Sequence, residues 1–224
     1  MKIEYTLKEV RDNIFAVIVP NDYDRAMLFC KMQEYYESDN KLFKGESFSI
    51  WDYMKWYAEK NKGVFTYTKD WDGFNIPFDV AMHFMVPNEV ESPYDKEMQI
   101  ILEKIYHNYK SDRKKAYIIG VKSDKGDTFN HEMCHALYYT YRIYKKEINI
   151  ITHNEMSLNT YNILIQNLIE LGYNNNVIDD EIQAYMVTNY KSKYFSKGAD
   201  KNELNKLHKI YKQKFDYTSN HYLK

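Results

Sequence analysis

Apolar residues repeat at two different spacings along the chain, and the change from one to the other divides it. Residues 13–20 (NIFAVIVP) and 116–121 (AYIIGV) are compact, largely β-branched apolar runs typical of buried strands. A hairpin is predicted further along the chain. Apolar and polar residues alternate over 62–71, an Asp-Gly turn signal follows at 72–73, and a second segment covers 75–86. The first half of the chain is therefore expected to carry a small mixed sheet.

Helical periods lie between these strands and then replace them. In the first half, apolar residues recur at helical spacing over 22–38, 48–60 and 92–109. From Thr128 onward the strand signals stop, and the helical period covers 128–148, 155–171, 177–189 and 200–215. Because 224 residues suit one hydrophobic core, we predict a single α+β domain with a sheet-bearing lobe at 1–126 and a helical lobe at 127–224.

Composition narrows the class of protein and its partners. Hydrophobic residues make up 44% of the chain and charged residues 28%, which indicates a folded protein. The formal charge is −1, and only four of the 31 basic residues are arginine, so neither nucleic acid nor a membrane surface is predicted as a partner. With two cysteines, no apolar leader and no membrane-length apolar run, we expect a cytoplasmic protein.

One motif carries metal chemistry. His131, Glu132 and His135 form the pattern H-E-x-x-H within a segment of helical period. Residues four apart share one face of a helix, so two imidazoles can hold one zinc ion while the glutamate reaches the same space. In a chain of this composition the pattern is expected by chance only about 0.015 times. The motif therefore predicts a metal site.

The residues around the motif resemble the active-site helix of the zincin metallopeptidases. The likeness covers the string 128–137 (TFNHEMCHAL) and extends over about 115–190, where a strand leads through a short polar loop into the helix. It implies a zincin-like fold and zinc-dependent hydrolysis of peptide bonds. Metzincins carry a glycine and a third histidine where this chain has Tyr138 and Tyr141, so the likeness is to the gluzincin type, whose third ligand is a glutamate.

Two glutamates compete for the place of third ligand. Glu155 follows the motif at the spacing of thermolysin-like enzymes, whereas Glu181 lies in a string similar to the Glu-x-x-Ala-Asp motif of other gluzincins, with Tyr185 replacing the aspartate. The apolar period predicts that the motif helix runs about 13 residues past His135, roughly 20 Å. Glu155 would then lie at its far end, so Glu181 is favoured, and Glu155 gains if the helix ends near Arg142.

The resemblance also assigns roles. Glu132 is expected to act as the general base that activates water, with Zn2+ held by His131, His135 and Glu181. Tyr185 is the first candidate for stabilising the oxyanion or orienting a ligand, ahead of Tyr138 and His153. The substrate is expected to be a peptide or protein paired with an edge strand at 78–86 or 64–68.

Two other functions remain open at this point. The same metal site could hydrolyse an amide that is not a peptide. Alternatively, the chain could be a binding or structural protein, such as a phage or mobile-element component, that keeps the fold and zinc without turnover. The presence of Glu132 favours hydrolysis, because a site that only binds metal does not require it.

Overall fold

A computed structural model describes residues 2–38, 40–86, 91–108 and 115–221. The chain divides into two compact units, Met1–Asp124 and Lys125–Lys224. The lobe boundary expected at residue 126 falls just beyond the end of the first unit. Helices and a small sheet occur together, so the predicted α+β class is confirmed.

The first unit contains four strands and five α-helices in its described part. The strands are β1 (Thr6–Arg11), β2 (Ile14–Ile18), β3 (Phe74–Pro77) and β4 (Tyr117–Val121). The helices are α1 (Asp22–Glu37), α2 (Ile50–Lys60), α3 (Tyr67–Asp70), α4 (Phe78–Ala81) and α5 (Pro93–Asn108), with a 3-10 turn at Met82–Met85.

The sheet has the order β1-β2-β4-β3 and is mixed. The central strands β2 and β4 pair in parallel, while β1 and β3 pair antiparallel with β2 and β4, respectively. Both central strands are apolar and almost wholly buried, as expected where a strand is covered on both faces. On β4, Gly120 leaves room for the ring of Phe29 from α1, since an added Cβ would lie 2.4 Å from that ring.

The predicted hairpin at 62–71 and 75–86 is wrong. Residues 67–70 form helix α3, and β3 ends at Pro77 and pairs with β4 instead. Beyond it, the buried residues Phe78, Ala81 and Phe84 recur every three positions, which is a helical and not a strand spacing. Neither proposed edge strand, 78–86 or 64–68, is therefore a strand in the described chain.

The second unit is helical throughout its described part. Its α-helices are α6 (Asp127–Thr140), α7 (Arg142–Ile150), α8 (Leu158–Glu170), α9 (Ile178–Thr188) and α10 (Lys201–His221). A π-helical turn, Ile151–Glu155, follows α7, and a 3-10 turn, Asn175–Val177, precedes α9. Helices α6, α8 and α10 all pack against α9, and seven of its 11 residues are buried.

The motif helix ends earlier than its apolar period predicts. Helix α6 stops at Thr140, and Tyr141 takes an extended conformation (φ −106°, ψ 96°) before α7 begins. The Thr140 hydroxyl donates to the carbonyl of Ala136 at 2.6 Å, a local bond that competes with helix continuation. The apolar spacing continues into α7, where Tyr144 and Ile148 are buried, so it gives no sign of the break.

No helix among the described residues combines the length and the apolar character needed to cross a lipid bilayer.

Candidate metal centre

The two histidines of the motif lie one turn apart on α6, with ring centroids separated by 4.9 Å. His135 is 3% exposed, whereas His131 is half-buried. Helix α9 packs against this face and brings Glu181, in its first turn, to the two rings. The side chain of Glu181 is buried as well. Two packed helices of the second unit thus bring together three side chains of the types that bind metals.

The atoms of these side chains have the spacing of ligands around one ion. Nε2 of His131 lies 3.7 Å from Oε2 of Glu181, and Nε2 of His135 lies 3.6 Å from Oε1. All three ligand atoms lie within 4.8 Å of one another. Ligands about 2.1 Å from a tetrahedral ion are separated by roughly 3.4 Å. His131, His135 and Glu181 therefore lie close enough to bind one metal ion.

One oxygen of the Glu181 carboxylate is buried without a hydrogen-bond donor in the described part of the chain. Its Oε2 atom is inaccessible and has no hydrogen-bond partner among the described residues. Burial alone would raise the pKa of Glu181, but the neighbouring His135 and His131 rings lower it, so the carboxylate stays ionised. A buried anionic oxygen without a donor is costly unless a cation satisfies it. This oxygen accordingly fits a metal site.

The other nitrogen of each histidine contacts a side chain of α9. Nδ1 of His135 lies 2.9 Å from Oδ1 of Asp180, and Nδ1 of His131 lies 3.3 Å from the hydroxyl of Thr188. Burial lowers the pKa of His135, but the Asp180 and Glu181 carboxylates more than offset this and hold it well above its ordinary value. Both rings therefore direct Nε2 toward Glu181.

A buried chain of hydrogen bonds continues from Asp180. The Gln183 amide donates from Nε2 to Oδ1 of Asp180 at 2.9 Å, and the Tyr144 hydroxyl donates to Oε1 of Gln183 at 2.8 Å. Gln183 is fully buried and Tyr144 is 1% exposed. Side chains from α7, α9 and α6 are thus linked in the order Tyr144, Gln183, Asp180 and His135.

Glu132 lies between the two histidines in sequence and is buried on α6. It is not one of the three residues whose ligand atoms group together, and on the helix it lies about 100° from His131 and about 60° from His135. A buried carboxylate beside a metal-binding pair is suited to accept a proton from water.

Tyr185 packs against the metal-binding residues from the side of α9. Its ring stands edge-on to His131 with centroids 5.2 Å apart and stacks on Phe195 at 4.8 Å. Its hydroxyl lies 3.2 Å from the hydroxyl of Tyr173. Burial is the main cause that raises the pKa of both phenols, and the Glu181 carboxylate adds to it. Both hydroxyls therefore remain protonated at neutral pH.

No protein-family model, curated protein or solved structure matches this chain. The assignment of chemistry consequently depends on the side chains themselves.

The remaining candidates lie outside the cluster. Glu155 is exposed at the end of the π-helical turn, and early termination of α6 does not bring it among the metal-binding residues. Tyr138 donates to Oδ1 of Asn149 at 2.7 Å, and His153 contacts Oδ2 of Asp179 at 3.1 Å.

Sequence reasoning missed Asp180, Thr188 and Tyr173. A signal for Asp180 was present, because it directly precedes Glu181 at the start of a helix that has to face the histidines. Thr188 lies two helical turns after Glu181, on nearly the same face, and this spacing could also have been used. Tyr173 lies in the loop before α9, where no period constrains the direction of its side chain.

Proposed function

We propose that the protein is a zinc-dependent metallopeptidase of gluzincin type with a zincin-like fold. The observation that carries this proposal is the meeting of two imidazole Nε2 atoms at one buried carboxylate, beside Glu132 in the same helix. The mixed sheet with an antiparallel edge strand, followed by the motif helix, is in keeping with that fold.

The donor set favours zinc over other divalent ions. Two imidazole nitrogens and one carboxylate are the ligands of hydrolytic zinc sites, which keep a fourth position open for water or substrate. Magnesium and calcium prefer sites made only of oxygen ligands. A set of His131, His135 and Glu181 therefore corresponds to a catalytic and not a closed structural site.

Zinc bound here would supply Lewis acidity that polarises a carbonyl and makes water more acidic. Glu132 accepts the proton of the attacking water and passes it to the leaving nitrogen, which makes it the general base and then the general acid. Tyr185 donates its hydroxyl proton in a hydrogen bond to the developing oxyanion, supported by the adjacent hydroxyl of Tyr173. The raised pKa of each phenol keeps this donor available at neutral pH.

The experiment compares the protein with its Glu132→Gln and Glu155→Gln variants. Zinc content is measured by mass spectrometry after purification in zinc-containing buffer, and cleavage is measured on a peptide library and on casein. We expect one zinc per chain in all three proteins. Cleavage should be lost in Glu132→Gln, by at least about 100-fold, and retained in Glu155→Gln.

Three outcomes would contradict parts of this proposal. Absence of stoichiometric zinc would exclude the metal centre. Zinc binding without cleavage of any peptide by the unaltered protein would exclude the peptidase and favour a binding protein or a hydrolase of another amide. Equal loss of cleavage in both variants would show that Glu132 has no particular role.

A further inference from the structure

Besides Glu181, which faces Nε2 of both histidines, helix α9 carries two side chains that contact the other ring nitrogen, Nδ1. Asp180 and Thr188 lie on this helix, as does Glu181 itself. We propose that Asp180 and Thr188 are positioning residues that fix the ring orientation and tautomer of His135 and His131, so that α9 supplies one ligand and holds the other two in register. This inference rests on the proposed zinc centre but not on peptide hydrolysis.

The contact of Asp180 with His135 defines one tautomer. An ionised carboxylate only accepts hydrogen bonds, so Nδ1 of His135 must carry the proton that points at Oδ1, 2.9 Å away. The lone pair of Nε2 is then left for a metal. Oδ1 also accepts from Gln183, which is held in turn by Tyr144. Because both of these side chains are buried, the carboxylate has little freedom to turn away from the ring.

The contact of Thr188 with His131 defines the same tautomer by a different route. The single hydroxyl proton of Thr188 is donated to the carbonyl of Ala184 at 2.8 Å. Toward His131 the hydroxyl oxygen therefore acts as an acceptor, and Nδ1 of His131 must donate. In the neutral form that a metal ligand requires, both histidines consequently turn an unprotonated Nε2 toward the Glu181 carboxylate.

The two contacts are unequal in strength. The Asp180 contact is shorter, joins a buried ring and involves a charged acceptor, whereas the Thr188 contact is 3.3 Å long, neutral and beside a half-buried ring. Charge-assisted hydrogen bonds are roughly twice as strong as neutral ones. Loss of Asp180 should therefore reduce metal affinity more than loss of Thr188.

The test measures zinc affinity by competition with a chromophoric chelator for single variants of the whole protein. Loss of such outer contacts typically costs about 10- to 100-fold in affinity, and we expect that range for Asp180→Ala. Asp180→Asn keeps an acceptor without the charge, so a smaller loss is expected. Thr188→Val should weaken binding a few-fold, and Thr188→Ser, which keeps the hydroxyl, should restore it.

Asp179 provides the matched control. It is the preceding carboxylate on the same helix and contacts His153, which is not among the metal-binding residues. Asp179→Asn should bind zinc like the unaltered protein. A second readout, long-range 15N–1H NMR of the histidine rings in the zinc-loaded protein, should show Nδ1–H tautomers for His131 and His135.

The outcomes separate this inference from the zinc proposal. If the unaltered protein binds no zinc, the zinc centre itself is wrong. If it binds zinc and Asp180→Asn and Asp179→Asn have equal affinities, the positioning role of Asp180 is refuted even should Asp180→Ala fail to fold. A Nε2–H tautomer on either ring, or equal affinities of Thr188→Val and the unaltered protein, would overturn the assignment for that histidine.

Discussion

The Glu181 carboxylate lies 3.6 Å from Nε2 of His135, although the two residues come from different helices. This separation is too long for a strong hydrogen bond and close to the distance between two ligands of one ion. His131 stands at nearly the same distance from the other carboxylate oxygen. The spacing around Glu181 therefore leaves room for one cation shared by the three side chains.

Replacement of Glu181 should remove the third ligand. Glu181→Gln keeps the volume of the side chain but loses the charge that a zinc ion requires, so we expect affinity to fall by more than about 100-fold, beyond the usual effect of an outer contact. Competition with a chelator measures this loss. Glu155→Gln is the control, because Glu155 is exposed and outside the cluster. A larger loss in Glu155→Gln would reverse the assignment of the third ligand.

Zinc binding should release a proton near neutral pH. Burial lowers the pKa of His135, but the carboxylates of Asp180 and Glu181 more than offset this in the metal-free protein, which favours the ring form that carries a proton on Nε2 as well as on Nδ1. A metal at Nε2 has to displace that proton, and affinity should rise with pH until the pKa of His135 is passed. Calorimetry in buffers of different ionisation enthalpy should give different binding enthalpies. Identical enthalpies in all buffers would contradict the expected proton release.

The motif and the strongly periodic segments were predictable from sequence because each has a local cause. Strands β2 and β4 are buried on both faces and read as unbroken apolar runs, and the i, i+4 spacing places His131 and His135 together on any helix. The argument from sequence that favours Glu181 as third ligand assumes that the motif helix continues about 13 residues past His135. This length is wrong, since α6 ends at Thr140. The grouping of Glu181 with the histidines depends instead on the packing of α9 against α6.

The failures have tertiary causes. Residues 75–86 contain alternating apolar residues at first, but β3 ends at Pro77 and α4 begins at Phe78, so that Phe78, Ala81 and Phe84 are buried at helical spacing. The break between α6 and α7 at Tyr141 could not be predicted from a helix-breaking residue, because no glycine or proline lies there. The contacts of Asp180 and Thr188 with the histidines arise only when two helices meet, so no local pattern contains them.

Tyr144→Phe should destabilise the second unit through Gln183. The substitution removes the hydroxyl that donates to Oε1 of Gln183 at 2.8 Å, and this buried oxygen loses its donor. Such a loss costs about 1–3 kcal/mol in the free energy of unfolding. Urea denaturation of the metal-free protein measures it. Tyr194→Phe, at an exposed phenol, is the control and should change stability by less than about 0.5 kcal/mol. Equal stabilities of the two variants would show that the buried contact contributes nothing.

Glu203 should make stability depend on pH in the acid range. Its carboxylate accepts hydrogen bonds from the backbone N–H of Ser157 at 2.6 Å, from the Ser157 hydroxyl at 2.9 Å and from the Thr160 hydroxyl, at the start of α8. Burial raises the pKa of Glu203, but these donors lower it by more than burial raises it, so the net shift is downward. A lowered folded-state pKa means that the stabilisation is complete above the unfolded value of about 4.3 and is lost as pH falls through the folded value.

The Glu203→Gln variant tests this pH dependence. It keeps one acceptor oxygen but loses the charge, and the net worth of its hydrogen bonds predicts a loss of about 0.5–1.5 kcal/mol at pH 7. Because the glutamine does not titrate, the difference between the two proteins should shrink as the pH falls from about 5 toward 3. Glu170→Gln, whose exposed carboxylate has only a 3.9 Å contact with Lys197, is the control and should follow the unaltered protein. The free energies of unfolding of Glu203→Gln and the unaltered protein could instead differ by a constant amount over this range. That result would mean that the charge of Glu203 does not contribute to the stability of α8.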